Sequence, residues 1–101
     1  MAITGYTGRP LEVIQTDATV SSATTITPAT GADYILLEAS TQNIRVTLYG
    51  ETPTATYGFL IAKDSVFQID CGQDVTIKVI EVTAGASVQW QSFRKIAETN
   101  A

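Results

Sequence analysis

At 101 residues, 45% apolar and only 16% charged, the chain is sized for one domain whose core leaves a small margin of stability. A net charge of −4 with six scattered Lys and Arg offers neither the basic footprint of a nucleic-acid binder nor an attraction to anionic membranes. With no histidine and one cysteine, Cys71, the chain lacks the commonest general base and metal ligand and cannot form an internal disulfide.

Residues 1–10, "MAITGYTGRP", hold two glycines and a proline, show no period and contain no apolar signal region. They read as an extended N-terminal arm, either disordered or ordering on a neighbouring chain by strand addition. The expectation is a cytosolically made, soluble protein. No run approaches the ~20 apolar residues of a spanning helix.

From residue 11 onward, period-two alternation replaces helical spacing. "EVIQT" (12–16), "ATTIT" (23–27) and "YILLEA" (34–39) are followed by "IRVTLY" (44–49), which sets Ile44, Val46 and Leu48 against Arg45, Thr47 and Tyr49. "FLIA" (59–62) and "SVFQI" (65–69) come next. "VTIKV" (75–79) then alternates Val75, Ile77 and Val79 with Thr76 and Lys78, and "SVQWQSF" (87–93) puts Val88 and Trp90 on one side. β-Branched residues suit pleated surfaces, and Thr alone is roughly one residue in six. Turn-forming clusters separate the runs. The pattern predicts an all-β, single-domain antiparallel β-sandwich, jelly-roll-like or Greek key, of about eight short strands over 11–95, with a C-terminal tail at 96–101.

The chemistry-bearing residues form no catalytic set. Cys71 in "DCGQD" has no histidine to activate it and reads as part of a hairpin turn in which Gly72 takes a positive φ. Asp70 and Asp74 bracket that turn as local hydrogen-bonders, too few for a calcium site. The glycines make no phosphate-binding pattern. The expectation is therefore no enzyme, no cofactor and no metal.

"YGETPTATYG" (49–58) is too long for a tight hairpin and too extended to be floppy. Pro53 drives Thr52 toward extended geometry. It reads as a connection crossing between sheets or spanning the rim, of the kind that displays a contact surface. Tyr49, Tyr57 and Phe59 cluster around it and suit either a protein interface or a carbohydrate-stacking platform. Trp90, in phase with Val88, reads as core.

The combination of Arg45, Gly50, Pro53-Thr54, Gly58 and apolar Ile61, with "TAGASVQW" (83–90) as a closing turn and strand, resembles small all-β virion structural proteins of tailed bacteriophages. The resemblance spans roughly residues 33–93, and the chain departs from it in carrying Asp64 where a glycine often closes the turn. Asp tolerates the left-handed conformation such a turn needs. The resemblance implies a head decoration or cement protein that sits on the virion as a homo-oligomer, commonly a trimer, and clamps neighbouring capsomers. The implied partner is the major capsid protein or another virion protein. A tail, fibre or head–tail joining component is the alternative within the virion, and a small carbohydrate-binding module the alternative outside it. The contact residues expected on this basis are Tyr6, Arg9 and Pro10 in the arm and Tyr49, Pro53, Thr54, Tyr57 and Phe59 around the loop. Arg45 is the structural candidate, paired with a carboxylate beneath the loop.

Overall fold

The computed structural model describes residues 6–97, with side chains from 8 to 96. Nine strands are present in this span and no helix: β1 Tyr6–Pro10, β2 Gln15–Asp17, β3 Thr24–Ile26, β4 Tyr34–Ser40, β5 Ile44–Thr47, β6 Phe59–Ile61, β7 Val66–Asp70, β8 Ile77–Glu81 and β9 Ser87–Ala97. All eight runs of alternating sequence contribute a strand, and β1 is the addition.

The ladders follow one rule. β5 pairs with β6, β4 with β7, β3 with β8 and β2 with β9, all antiparallel, so the chain is a long hairpin doubled back around the segment between β5 and β6. The hairpin is then wound up. β4 pairs with β9 and β5 with β8, giving sheets of order β1-β9-β4-β7 (with β2 also on β9) and β3-β8-β5-β6. This is the jelly-roll arrangement, two antiparallel sheets packed face to face.

Alternation explains which face is buried. In β4, Ile35, Leu37 and Ala39 point inward, opposed by Ile44 and Val46 of β5 and by Ile77 and Val79 of β8, all fully or almost fully buried. Burying each such side chain contributes roughly 1.5–3 kcal/mol, which is where the fold's stability lies. Val20, Ala86 and Val88 close the core, and Trp90 is half-buried against it.

Several expectations change. Residues 6–10 are not a free arm, because β1 pairs along its whole length with β9, from Tyr6 opposite Ala97 to Pro10 opposite Phe93. Removing residues 1–10 would therefore strip an edge strand as well as any tether. Residues 1–5 of the expected arm lie outside the described residues. At the other terminus Ile96 and Ala97 belong to β9, and 98–101 lie outside the description. The Cys71 turn is not a hairpin, because β7 and β8 lie in different sheets and residues 71–76 cross between them. Gly72 does not take a positive φ there; its carbonyl accepts the Val75 amide at 3.3 Å. Asp64 does adopt the left-handed conformation, at φ 66°, and its amide donates to Ala39 at 2.7 Å.

Two carboxylates extend the ladders of β9. Between β1 and β2 the chain leaves the sheet, and Glu12 Oε2 accepts the amide of Ser92 at 3.1 Å. Beyond the start of β4, Asp33 Oδ2 accepts the amide of Lys95 at 2.7 Å. Each acid takes the place of a missing strand carbonyl, which keeps backbone donors paired where the sheet runs out.

Connectivity sorts the loops by end. The links 27–33, 48–58 and 71–76, with the outer ends of β1 and β9, lie at one end of the sandwich, and 18–23, 41–43, 62–65 and 82–86 lie at the other.

Candidate functional site

The segment 48–58 joins β5 to β6, neighbours in one sheet, so it is an enlarged hairpin loop and not a crossing between sheets. What holds it is the outward face of β5. Ile44 and Val46 are buried in the core, so the alternation puts Arg45 and Thr47 on the opposite face, and the loop folds back onto both. The Thr47 hydroxyl donates to the Glu51 carbonyl at 2.6 Å. Arg45 Nη1 donates to the Gly58 carbonyl at 3.0 Å, and its Nε reaches Ala55 at 3.4 Å. The partners of Arg45 are thus backbone carbonyls and not the expected carboxylate.

Within the loop the chain reverses again. Thr54 and Tyr57 exchange main-chain hydrogen bonds at 3.1 and 3.2 Å, making a two-residue turn of Ala55 and Thr56. Glu51 ties the two sides together, since its carboxylate accepts the Tyr49 amide at 3.0 Å and lies 3.5 Å from the Tyr57 hydroxyl. Gly58, at φ 125°, lies so close to β5 that a Cβ there would stand 3.0 Å from the Val46 carbonyl. Residue 50 is tied to the crossing segment by its amide, which donates to Thr76 at 3.2 Å. The loop is pinned from three sides.

The expected contact residues divide sharply. Pro53 is fully buried, so it is corrected from a contact residue to a packed residue of the loop, where the missing N–H leaves no backbone donor to satisfy. Thr54, Tyr57 and Phe59 are exposed, and Tyr49 is the most exposed aromatic of the set. Tyr57 and Phe59 flank a shallow concavity of ≈ 430 Å³ that Thr47, Glu51 and Thr56 also line. Leu60, on the outward side of β6 across from Arg45, is exposed too. The alternation of "FLI" carries a signal for Leu60, whereas nothing in the sequence marks Glu51 as the organiser of the loop.

The other candidates sit on β1. Tyr6 opens the strand, and its side chain is outside those described. Arg9 and Pro10 are exposed, opposite Arg94 and Phe93. Three of the six basic residues, Arg9, Arg94 and Lys95, are thereby gathered at one place that the linear sequence separates. Like charges directly opposed on a sheet are mildly destabilising, and Lys95 offsets this only weakly through an exposed pair with Asp70 at 4.0 Å. Beneath this strand, Tyr34 and Phe93 stack with ring centroids 5.1 Å apart. Gly8 leaves the room they need, because a Cβ at that position would overlap the Tyr34 hydroxyl. Arg9 and Pro10 therefore share an end of the sandwich with the 48–58 loop but belong to the other sheet.

Cys71 is half-buried, and its thiol is pushed above its ordinary range by burial, with the negative charges of Asp70 and Asp33 adding to the effect. That is the opposite of nucleophile activation. Among the described residues no group of three or more Cys, Asp and Glu side chains converges as a metal site.

No protein family, curated protein or solved structure matches the chain.

Proposed function

We propose that the protein is a non-enzymatic structural component of a bacteriophage virion, a decoration or cement protein that binds neighbouring capsomers through the 48–58 loop. The observation that carries this reading is the pairing of a rigidly pinned backbone with exposed aromatic side chains. Tyr49 and Tyr57 stand in solvent on a loop fixed by Arg45, Thr47 and Glu51, and Phe59 is exposed where that loop enters β6. Aromatic anchors on pre-organised backbone give binding energy without an ordering cost, which is the economy of an interface. The resemblance of the Arg45-to-Ile61 pattern to phage virion proteins supplies the partner, and jelly rolls recur in viral shells. Homo-oligomerisation, with a trimer favoured, would multiply weak contacts into a firm clamp.

The test is cosedimentation of purified protein with phage heads from its source that have been stripped of it. Wild type is expected to pellet with the heads, while Tyr57→Ser/Phe59→Ser stays in the supernatant with an unchanged melting temperature. Equal binding by the double variant, or heads that never retain the protein, would overturn the reading.

The concavity between Tyr57 and Phe59 favours a second reading, a carbohydrate-binding module in which the rings stack on a sugar and Glu51 accepts its hydroxyl protons. Glycan-array binding that disappears in Tyr57→Ala would replace the first reading with this one.

A further inference from the structure

The concavity beside the 48–58 loop sets two aromatic side chains against one uncompensated charge. Its volume of ≈ 430 Å³ is in the range of pockets that take a small ligand or a single side chain. Tyr57 and Phe59 line it on either side of Gly58, which adds no side chain of its own. Both aromatic residues are more than half exposed, so they are open to an incoming group.

The polar groups of the lining decide what that group is. Thr47 donates its hydroxyl to the Glu51 carbonyl, and the Thr56 hydroxyl lies 3.4 Å from that of Thr54. The carboxylate of Glu51 is what stays open. Its Oε1 accepts the Tyr49 amide at 3.0 Å, and its Oε2 has only the Tyr57 hydroxyl, at 3.5 Å. An ionised carboxylate has about four acceptor sites and no donor, so it retains capacity here. Among the described residues no lysine or arginine forms an ion pair with it. Arg45, on the outward face of β5, is committed to the Ala55 and Gly58 carbonyls.

We propose that the concavity receives a basic side chain, arginine or lysine, presented by the partner protein. The electron-rich faces of Tyr57 and Phe59 attract the cation, while the Glu51 carboxylate accepts its N–H donors. The net charge of −4 adds a general pull in the same direction. A neutral sugar makes no use of the charge, and an anion is repelled by it. This inference rests on the reading of the 48–58 loop as a contact surface and names the chemistry of the group that it contacts.

NMR titration of the labelled protein with N-acetylarginine amide, at constant ionic strength, tests it. N-acetylcitrulline amide, the neutral isostere, is the control. The arginine probe is expected to give saturable shifts centred on Thr56, Tyr57 and Phe59, and the citrulline probe to bind at least about fivefold more weakly. Glu51→Gln keeps an acceptor for the Tyr49 amide while removing the charge. It is expected to lower the arginine affinity at least about fivefold with an unchanged melt. If that variant loosens the loop, Tyr57→Leu, which removes one ring and leaves the carboxylate, serves in its place. No saturable shift at these residues, equal binding of the two probes, or undiminished binding by the variant overturns the inference. Saturation by a methyl glycoside where the arginine probe fails gives the site to a sugar and overturns it as well.

Cosedimentation with stripped heads separates this result from the capsid reading. Heads that retain wild type and Glu51→Gln equally overturn the basic-side-chain contact and leave the capsid reading in place. An arginine-selective site on a protein that heads never retain supports the pocket and removes the virion partner.

Discussion

Arg45 and Gly58 lie thirteen residues apart, and a 3.0 Å hydrogen bond from the guanidinium to the Gly58 carbonyl closes the base of the loop between them. The arginine stands on the outward face of β5 and fixes the point at which the chain re-enters the sheet as β6. Everything the loop displays is positioned by that bond and by its companion from Thr47 to Glu51.

Replacing Arg45 with alanine is therefore expected to cost about 1–2 kcal/mol, since hydrogen bonds from a charged donor are worth more than neutral ones. The loss falls on the loop first. Hydrogen exchange of the Tyr57 and Thr54 amides should accelerate more than that of Val46. An Arg45→Ala protein whose loop amides exchange at wild-type rates would show that Thr47 and Pro53 suffice.

Thr41 carries a φ of 69°, a conformation that β-branched residues adopt only under strain. Its hydroxyl donates to the Gly85 carbonyl at 2.7 Å, which holds the residue there. Thr41→Asn keeps a donor and suits the left-handed backbone, so it should stabilise by about 1 kcal/mol, or roughly 4–8 °C in Tm for a domain of this size. A calorimetric Tm equal to or below wild type would refute this.

Glu12 and Asp33 are expected to behave as backbone substitutes. Glu12→Ala leaves the Ser92 amide unpaired at a residue that is fully buried, so about 1.5–3 kcal/mol is at stake in urea unfolding. Asp33→Ala releases the amide of an exposed residue, Lys95, and should cost less. Glu12→Gln retains an acceptor and should recover part of the loss. The reverse order of the two alanine variants would contradict the ladder account.

Cys71 gives the pH prediction. Its folded-state pKa is raised, by burial first and then by Asp70 and Asp33, so the fold favours the neutral thiol. The resulting stability is fully present below the thiol's unfolded pKa and is lost as pH rises through the folded value. Between pH 7 and 10 the urea midpoint of wild type should fall further than that of Cys71→Ser. Alkylation by iodoacetamide should also show a midpoint above that of free cysteine. A midpoint at or below it would sink the argument.

Alternation made the strands legible, because "YILLEA" and "SVQWQSF" can bury one face only as strands of half-exposed sheets. The left-handed turn at Asp64 is legible only through the resemblance, which often places glycine there, and the tolerance of Asp for that conformation. Alternation could not show which strand pairs with which, and this is why 48–58 reads in isolation as either a crossing between sheets or a span of the rim. The β1 strand escaped notice for a different reason: "YTGRP" has no alternation of its own, and its partner lies at the opposite end of the sequence. Pro53 shows the limit most directly. A proline in a loop is ordinarily a surface residue, and here it is fully buried.

The nesting of ladders about one reversal has a kinetic consequence. Each pairing from β5·β6 outward to β2·β9 closes a longer stretch of chain than the one inside it. Loop-closure entropy therefore favours zipping from the centre, and the outermost pairing comes late. The segment that displays Tyr57 and Phe59 is then also the pivot around which the sheets assemble. In stopped-flow chevrons, Arg45→Ala should slow refolding, whereas Glu12→Ala should chiefly speed unfolding. A sequence free to vary its recognition surface is, at this loop, not free to vary how fast it folds.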